Sequence, residues 1–153
     1  AYATILLPII RPDLVRSVAA WGAVGFFPPE LRPRVQRNWP ATWVDDKTRQ
    51  LHGEEHIDRM VLSWVNAMKQ IIDSGGNVSR DEAHTITCPL LLMLGRDDTL
   101  NPEHLGRALV ERIPNGRLEM FDGGHAVHRE QPDAFRRTLW EHLQAAETAA
   151  HQE

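Results

Sequence analysis

Residues 87–147 alternate between short apolar runs and longer amphipathic stretches, and this alternation constrains the fold more than any other feature of the sequence. Pro89 to Leu94 and Arg117 to Phe121 have the composition of short strands. Residues 103–113 and the segment after Pro132 have the pattern of helices that begin near a proline. Strand, helix, strand and helix at this spacing are typical of parallel βα units, so the sequence predicts an α/β fold.

The segment before residue 87 holds two further kinds of sequence. Tyr2 to Ile10 is compatible with a helix, and residues 14–21 form an apolar run that predicts one more buried strand. Residues 26–86 differ, with several prolines, three tryptophans and many charges, and their one strong periodicity is that of an amphipathic helix. We therefore expect residues 1–25 and 87–153 to form the α/β core and residues 26–86 to form a helical insertion.

Composition excludes several classes of protein. The 153 residues suit one ordinary domain, with 42% hydrophobic and 25% charged residues. The net charge is −4 and the sequence has no block of Lys and Arg, which argues against a nucleic-acid partner. No apolar run is long enough to span a bilayer. The single cysteine, Cys88, excludes an intrachain disulfide and fits a reducing compartment, so we expect a cytoplasmic protein without a membrane partner.

Two polar groups follow the predicted strands at the points where those strands end. Asp97 and Asp98 come after the first strand, and His125 comes after the second. Ligands of open α/β sheets gather at the carboxyl ends of the strands, where an acid and a histidine can form a hydrogen-bonded pair for proton transfer. Taken singly, the aspartates are also typical turn or capping residues, and His125 is also compatible with an ordinary loop position. Their joint order along the chain favours the pair.

Several short segments around these residues together resemble the C-terminal part of the α/β-hydrolase fold superfamily. They are Cys88 to Asp98, Asn101-Pro102, Ile113-Pro114, Gly123 to His125 and Glu130 to Pro132. Residues 11–22 look like that family's segment between the nucleophile-bearing helix and the sixth strand, and residues 26–86 lie where the family inserts its cap. The resemblance implies the C-terminal part of an α/β-hydrolase parallel sheet with an inserted helical cap. The sequence around Trp21, together with the mostly helical insertion, is similar to that of the valacyclovir-hydrolase-like esterases.

The resemblance assigns roles to the candidate pair. Asp98, in the Gly-x-x-Asp position, corresponds to the acid of a catalytic triad, and His125 corresponds to its base. Asp97 then corresponds to a turn residue. The implied enzyme is a hydrolase that cleaves carboxylic esters of small molecules through a nucleophile–His–Asp triad, without a cofactor or a metal.

The nucleophile motif of that family is absent from the sequence. No serine stands in the Gly-x-Ser-x-Gly pattern of the strand-to-helix elbow. Ser17, Ser63, Ser74 and Ser79 each lack a glycine two places before, two places after, or both. We expect the nucleophile to lie upstream of Ala1, so that the chain is the C-terminal half of a hydrolase and inactive alone.

Two other interpretations stay open. The same fold with an aspartate nucleophile would give a dehalogenase or an epoxide hydrolase. A non-catalytic half-hydrolase would be a binding module that pairs with a second chain or with the missing N-terminal portion of the fold, or forms a homo-oligomer through the edge of strand 14–21. His52 and His56 have a metal-compatible spacing, but Gly53 stands where the zincin motif needs glutamate, so no metal site is expected.

Overall fold

Three short strands form one parallel sheet in the computed structural model, which describes residues 1–150. The strands are β1 (Val18–Trp21), β2 (Leu90–Gly95) and β3 (Gly116–Phe121), in the spatial order β1-β2-β3. Every residue of the central strand β2 is buried, as expected for a parallel strand covered on both faces. The sequence prediction of an α/β fold with a parallel sheet is confirmed.

Helices account for most of the remaining regular structure. They are α1 (Tyr2–Ile10), α2 (Arg32–Gln36), α3 (Asp46–His52), α4 (Glu54–Asp73), α5 (Glu103–Val110), α6 (Val127–Glu130) and α7 (Pro132–Ala150). Short 3₁₀ turns lie at Pro12–Leu14, Pro29–Leu31 and Ala83–Thr85. Among residues 1–150, no helix is both long enough and apolar enough to cross a membrane.

The described chain divides into two compact units. The first contains Ala1–Phe26 and the residues from Val78 onward, and the second contains Phe27–Asn77. In the first unit the carbonyl oxygen of Gly25 accepts hydrogen bonds from three successive amides beginning at Val78, which brings the chain back to the core. The role of residues 26–86 as a cap stays a prediction.

The second unit is made of helices. Its largest helix, α4, contributes Ile57 and Val61 to an apolar cluster that also contains Ala41 and Val44, with Trp39 packed against it. The carboxylate of Asp45 caps α3 by accepting a hydrogen bond from the Thr48 amide at 2.7 Å. Amphipathic periodicity over residues 54–73 is the sequence signal for α4.

Strand β1 is shorter than the sequence predicts. The run 14–21 was expected to be extended throughout, but Pro12–Leu14 forms a 3₁₀ turn and the strand begins only at Val18. The amide of Leu14 donates within this turn to Arg11 and therefore takes no part in the sheet. The amides of Val18 and Gly22 donate to carbonyls of the β2 segment, so strand alternation directs the Ala19 amide to the opposite edge.

An apolar cluster formed by residues of β2, the last residue of β3, α6 and α7 holds the loop that follows β3. It comprises Leu91, Met93, Phe121, Val127 and Phe135, all buried. Burial of such side chains stabilises the fold by roughly 1.5–3 kcal/mol each. Because Val127 begins α6 and is fully buried, the cluster also anchors the C-terminal end of the loop between β3 and α6.

Candidate active site

The loops that follow β2 and β3 are joined by backbone hydrogen bonds. The parallel register pairs Gly95 with Phe121, so both strands end at the same edge of the sheet. The amide of Arg96 donates to the carbonyl of Phe121 at 2.9 Å, and the amide of Asp97 donates to the carbonyl of Gly123, also at 2.9 Å. The residues that follow the two strands are therefore held side by side.

Glycines at two strand ends make room for the loop that carries His125. A Cβ atom on Gly95 would lie 2.0 Å from the carbonyl oxygen of Gly124, a distance that no side chain tolerates. A Cβ atom on Gly22 would lie 2.8 Å from Cε1 of His125, and Gly22 also has a φ of +59°. These glycines allow the loop to lie directly on the ends of β1 and β2.

The structure brings the two predicted site residues into direct contact. Nδ1 of His125 lies 2.8 Å from Oδ2 of Asp98. The Asp98 side chain is only 2% exposed, whereas the His125 side chain is 60% exposed. Asp97 is exposed and joins the neighbouring loop through its backbone amide. Of the two adjacent aspartates, Asp98 is therefore the one that faces the histidine.

The Asp98 carboxylate is held by hydrogen bonds on both oxygens. Its Oδ1 accepts from the backbone amides of Leu100 and Asn101, each at 3.0 Å. Its Oδ2 accepts from Nδ2 of Asn101 at 3.0 Å, besides its contact with His125. Burial raises the pKa of this carboxyl, but the hydrogen bonds from His125 and Asn101 outweigh burial and leave the pKa below its ordinary value. Asp98 is consequently ionised at neutral pH.

The pKa of His125 is shifted in the opposite direction. The hydrogen bond to Asp98 raises the pKa of the imidazole above its ordinary value and outweighs the lowering caused by burial. The charges of Asp98 and Glu130 raise it further. An ionised Asp98 only accepts hydrogen bonds, so Nδ1 of the neutral imidazole carries the proton and Nε2 keeps a free lone pair.

Two further polar residues of this network have roles that the sequence did not reveal. Asn101, fully buried, accepts a hydrogen bond on its Oδ1 from the hydroxyl of Tyr2 at 3.1 Å. Burial first, and then the charge of Asp98, raise the pKa of Tyr2 far above its ordinary value, so its hydroxyl stays protonated. In the sequence, Asn101 had the pattern of a helix opener and Tyr2 that of an apolar helix. Neither pattern signals a contact across 99 positions of the chain.

A cavity of about 350 Å³ borders His125. It is lined by the N-terminal turn of α1, by the carboxyl end of β1, and by His125, Ala126 and His128. The rings of Trp21 and His128 lie 5.6 Å apart in its wall. Its volume is within the range of pockets that take small organic molecules.

No group of three or more His, Cys, Asp or Glu side chains with the geometry of a metal site occurs among residues 1–150. The described site does contain the hydrogen-bonded pair of Asp98 and His125. This pair is similar to the acid–base part of hydrolytic triads.

A comparison with protein families matches residues 2–138 to the Alpha/beta hydrolase family. The chain belongs to the alpha/beta hydrolase family. The resemblance noted in the sequence, which rested on the segments around Asp98 and His125, is thereby confirmed at the level of the family.

Two curated relatives of this alpha/beta hydrolase are hydrolases by name. One, from Cronobacter turicensis, is named carbamate hydrolase RutD and is 30% identical over 117 residues, which cover 75% of this chain and 44% of the relative. The other, from Cupriavidus pinatubonensis, is named 2-hydroxy-6-oxononadienedioate/2-hydroxy-6-oxononatrienedioate hydrolase and is 32% identical over 94 residues, which cover 61% of this chain and 31% of the relative. The chain therefore spans less than half the length of these curated relatives.

Solved structures share the fold of this alpha/beta hydrolase. A meta-cleavage product hydrolase from Pseudomonas fluorescens matches with a TM-score of 0.66 and 20% identity, over 95% of this chain and 61% of that structure. Such a likeness shows the fold and leaves the roles of Asp98 and His125, and the similarity to valacyclovir-hydrolase-like esterases, as predictions.

Proposed function

We propose that this alpha/beta hydrolase cleaves carboxylic esters or related acyl bonds, with His125 as the general base and Asp98 as the acid of its triad. The observation that carries the proposal is the 2.8 Å contact between Nδ1 of His125 and Oδ2 of a buried Asp98. The 60% exposure of the His125 side chain supports it, because a base needs access to the group that it deprotonates. The adjoining cavity supplies space for a small substrate.

The proposed reaction divides the work between the two residues. Nε2 of His125 takes the proton of the nucleophile as the nucleophile attacks the acyl carbon, and Asp98 stabilises the resulting imidazolium. The imidazolium then gives its proton to the leaving alcohol, and a covalent acyl intermediate remains. In the second half, Nε2 takes a proton from water as the water attacks the acyl carbon, and returns it to the departing nucleophile.

The nucleophile is proposed to lie outside the 153 residues. The sequence holds no Gly-x-Ser-x-Gly elbow, and the chain spans less than half of its curated relatives. The proposal therefore concerns the complete protein, in which a second segment or chain meets the His125 face of the cavity.

Ester hydrolysis by the complete protein tests the proposal. We expect turnover of short-chain p-nitrophenyl esters, near-complete loss of turnover in His125→Gln, and a loss of several orders of magnitude in Asp98→Asn. Asp97→Asn is the matched control, because it removes the same charge from the neighbouring exposed position. Full activity of either the His125 or the Asp98 variant would reject the assignment.

The choice of substrates also decides between reaction types. A carbamate and a 2-hydroxy-6-oxo dienoate belong in the assay because the two curated relatives carry those names. A haloalkane and an epoxide represent the alternative with an aspartate nucleophile. Turnover of these two compounds without any acyl hydrolysis would replace the ester proposal while retaining His125 as the base. An absence of turnover with every compound would favour a binding module.

A further inference from the structure

The carboxylate of Glu130 holds the backbone on both sides of His125. Its Oε2 accepts a hydrogen bond from the amide of Gly124 at 2.6 Å, and its Oε1 accepts one from the amide of Ala126 at 3.1 Å. These amides belong to the residues immediately before and after His125. One side chain therefore holds the peptide unit that precedes Gly124 and the one that follows His125, so the backbone that carries His125 is held on both sides.

The first glycine of the loop leaves room for this carboxylate. A Cβ atom on Gly123 would lie 2.5 Å from Oε2 of Glu130, and Gly123 has a φ of +154°. A Cβ atom on Gly124 would lie 3.4 Å from Oε1. The positive φ and the close approach of the carboxylate together favour a residue without a side chain at position 123, whereas a Cβ atom at position 124 would make an ordinary van der Waals contact.

The same loop is held from its other side by the end of β2. The carbonyl of Gly123 accepts from the amide of Asp97 at 2.9 Å, and the loop lies against Gly95. Glu130 itself is placed by α6, whose first residue, Val127, is fully buried in the apolar cluster. His125 therefore stands on a short span of backbone fixed between two anchored elements.

We propose that Glu130 is a positioning residue that holds the loop so that Nδ1 of His125 meets Oδ2 of Asp98. The contact between Glu130 and the loop is with backbone amides, so Glu130 acts through His125 and takes no part in the chemistry. Its catalytic meaning rests on the proposed function, but its effect on His125 is measurable without turnover.

The charge and the hydrogen bonds of Glu130 act on His125 in the same direction. The negative charge favours the imidazolium, and the fixed loop preserves the bond to Asp98 that raises the pKa of His125. Loss of either contribution lowers that pKa. Two acidic groups act on the imidazole: Asp98 through a direct hydrogen bond, and Glu130 through its charge. Substituting each one separately therefore distinguishes their effects on the pKa of His125.

The test is the pH dependence of His125 modification by diethyl pyrocarbonate, which reacts with unprotonated imidazole. Peptide mass spectrometry resolves the rate at His125, and the midpoint of the rate against pH reports its pKa. We expect the midpoint to move to lower pH in Glu130→Gln and further in Glu130→Ala, with faster amide hydrogen exchange in the loop peptide. Asp98→Asn serves as the reference for loss of the direct bond.

Asp122→Asn is the matched control for charge. It removes one carboxylate three positions from His125, and that carboxylate is 89% exposed and pairs with Arg96. We expect its midpoint and its loop exchange to equal those of the wild type. A midpoint that moves as far in Asp122→Asn as in Glu130→Gln would show a general effect of charge and would overturn the positioning role.

The remaining outcomes separate the two proposals. An unchanged midpoint and unchanged loop exchange in both Glu130 variants, with a shifted midpoint in Asp98→Asn, would reject the inference about Glu130 and leave the Asp98–His125 pair intact. An unchanged midpoint in Asp98→Asn would reject the proposed pair itself. Thermal unfolding of each variant confirms that the protein measured is folded, and Glu130→Gln, which keeps one acceptor oxygen, secures the result if Glu130→Ala unfolds.

Discussion

Replacement of Asp98 by asparagine changes two hydrogen bonds of the site and leaves the other two in place. The asparagine oxygen still accepts from the amides of Leu100 and Asn101, which fix the orientation of the side chain. Its NH₂ group then stands where Oδ2 of Asp98 was, facing Nδ2 of Asn101 and Nδ1 of His125. The new NH₂ group therefore faces two other donors, the NH₂ group of Asn101 and the protonated Nδ1 of His125.

The loss in the free energy of unfolding depends on which of these donor–donor conflicts the site can relieve. The imidazole of His125 relieves one by moving its proton from Nδ1 to Nε2. The single lone pair of Nδ1 then has two candidate donors, the new NH₂ group and Nδ2 of Asn101, which lies 3.2 Å away, so one of the two donors stays unpaired. One buried donor left unpaired lowers the free energy of unfolding by about 1–3 kcal/mol. The His125 end contributes little to this stability difference, because that side chain is largely exposed and its charge is screened by solvent.

The effect on turnover is expected to be much larger than the effect on stability. With its proton on Nε2, the neutral imidazole cannot accept the proton of the nucleophile, and the imidazolium has lost its partner charge. We expect kcat to fall by about 10⁴-fold, as the same substitution does in a serine-protease triad. Urea unfolding and ester hydrolysis measure the two quantities, with Asp97→Asn as the control in both.

The pH dependence of stability gives an independent check on the contribution of Asp98. The pKa of Asp98 is lowered in the folded state, so its stabilising contribution is present above the unfolded value of about 3.9 and is lost as the pH falls through the folded value. The stability difference between wild type and Asp98→Asn should therefore shrink in acid. A difference that is the same at every pH, or that Asp97→Asn reproduces, would refute the reasoning.

Three other measurements test separate parts of the structure. Because the pKa of His125 is raised in the folded state, the charged imidazole stabilises the fold below the unfolded pKa of about 6.5, and this contribution is lost as the pH rises through the folded pKa. The loss of unfolding free energy in His125→Gln, measured in urea, should therefore be larger at about pH 5.5 than at about pH 9. Gly95→Ala places a Cβ atom 2.0 Å from the carbonyl oxygen of Gly124, so we expect a loss of about 1–3 kcal/mol in stability together with loss of turnover, and normal stability would contradict the close approach. Among residues 1–150, β1 pairs with β2 alone, so its other edge should drive association of the chain. Ala19→Pro should reduce the sedimentation coefficient of the associated chain, whereas Ala20→Pro should unfold the protein, and equal association of Ala19→Pro and wild type would rule out this edge.

Much of the fold was predictable because its signals are local. The apolar run of residues 89–94 and the strand-like run 117–121 match β2 and β3 to within one residue at each end. The expected α/β architecture then follows from general rules for parallel strands. Strand β1 was predicted too long because the 3₁₀ turn at Pro12–Leu14 depends on hydrogen bonds to neighbouring carbonyls, which apolar composition does not indicate.

Asp98 and His125 were predictable as neighbours for a different reason. The ends of adjacent parallel strands lie at one edge of the sheet, so two residues that each follow such a strand are brought together by topology alone. The distance of 27 positions along the chain is therefore no obstacle to the inference. The sequence could not show that the carboxylate is buried and shared with Asn101, because that depends on the path of the loop after β2.

The residues that hold the pair were missed because their roles exist only in three dimensions. Tyr2 reaches Asn101 from the first turn of α1, and nothing in an apolar helix pattern distinguishes a tyrosine that packs from one that donates a hydrogen bond. Glu130 is only five positions from His125, but its role depends on α6, a four-residue helix that is too short for a periodic signal. A residue that performs proton transfer must be of a particular type at the end of a particular strand, and this restriction makes it recognisable. A residue that holds a backbone amide needs only an acceptor in the right place, which many residues and many positions supply, so its role becomes visible only when the loop is folded.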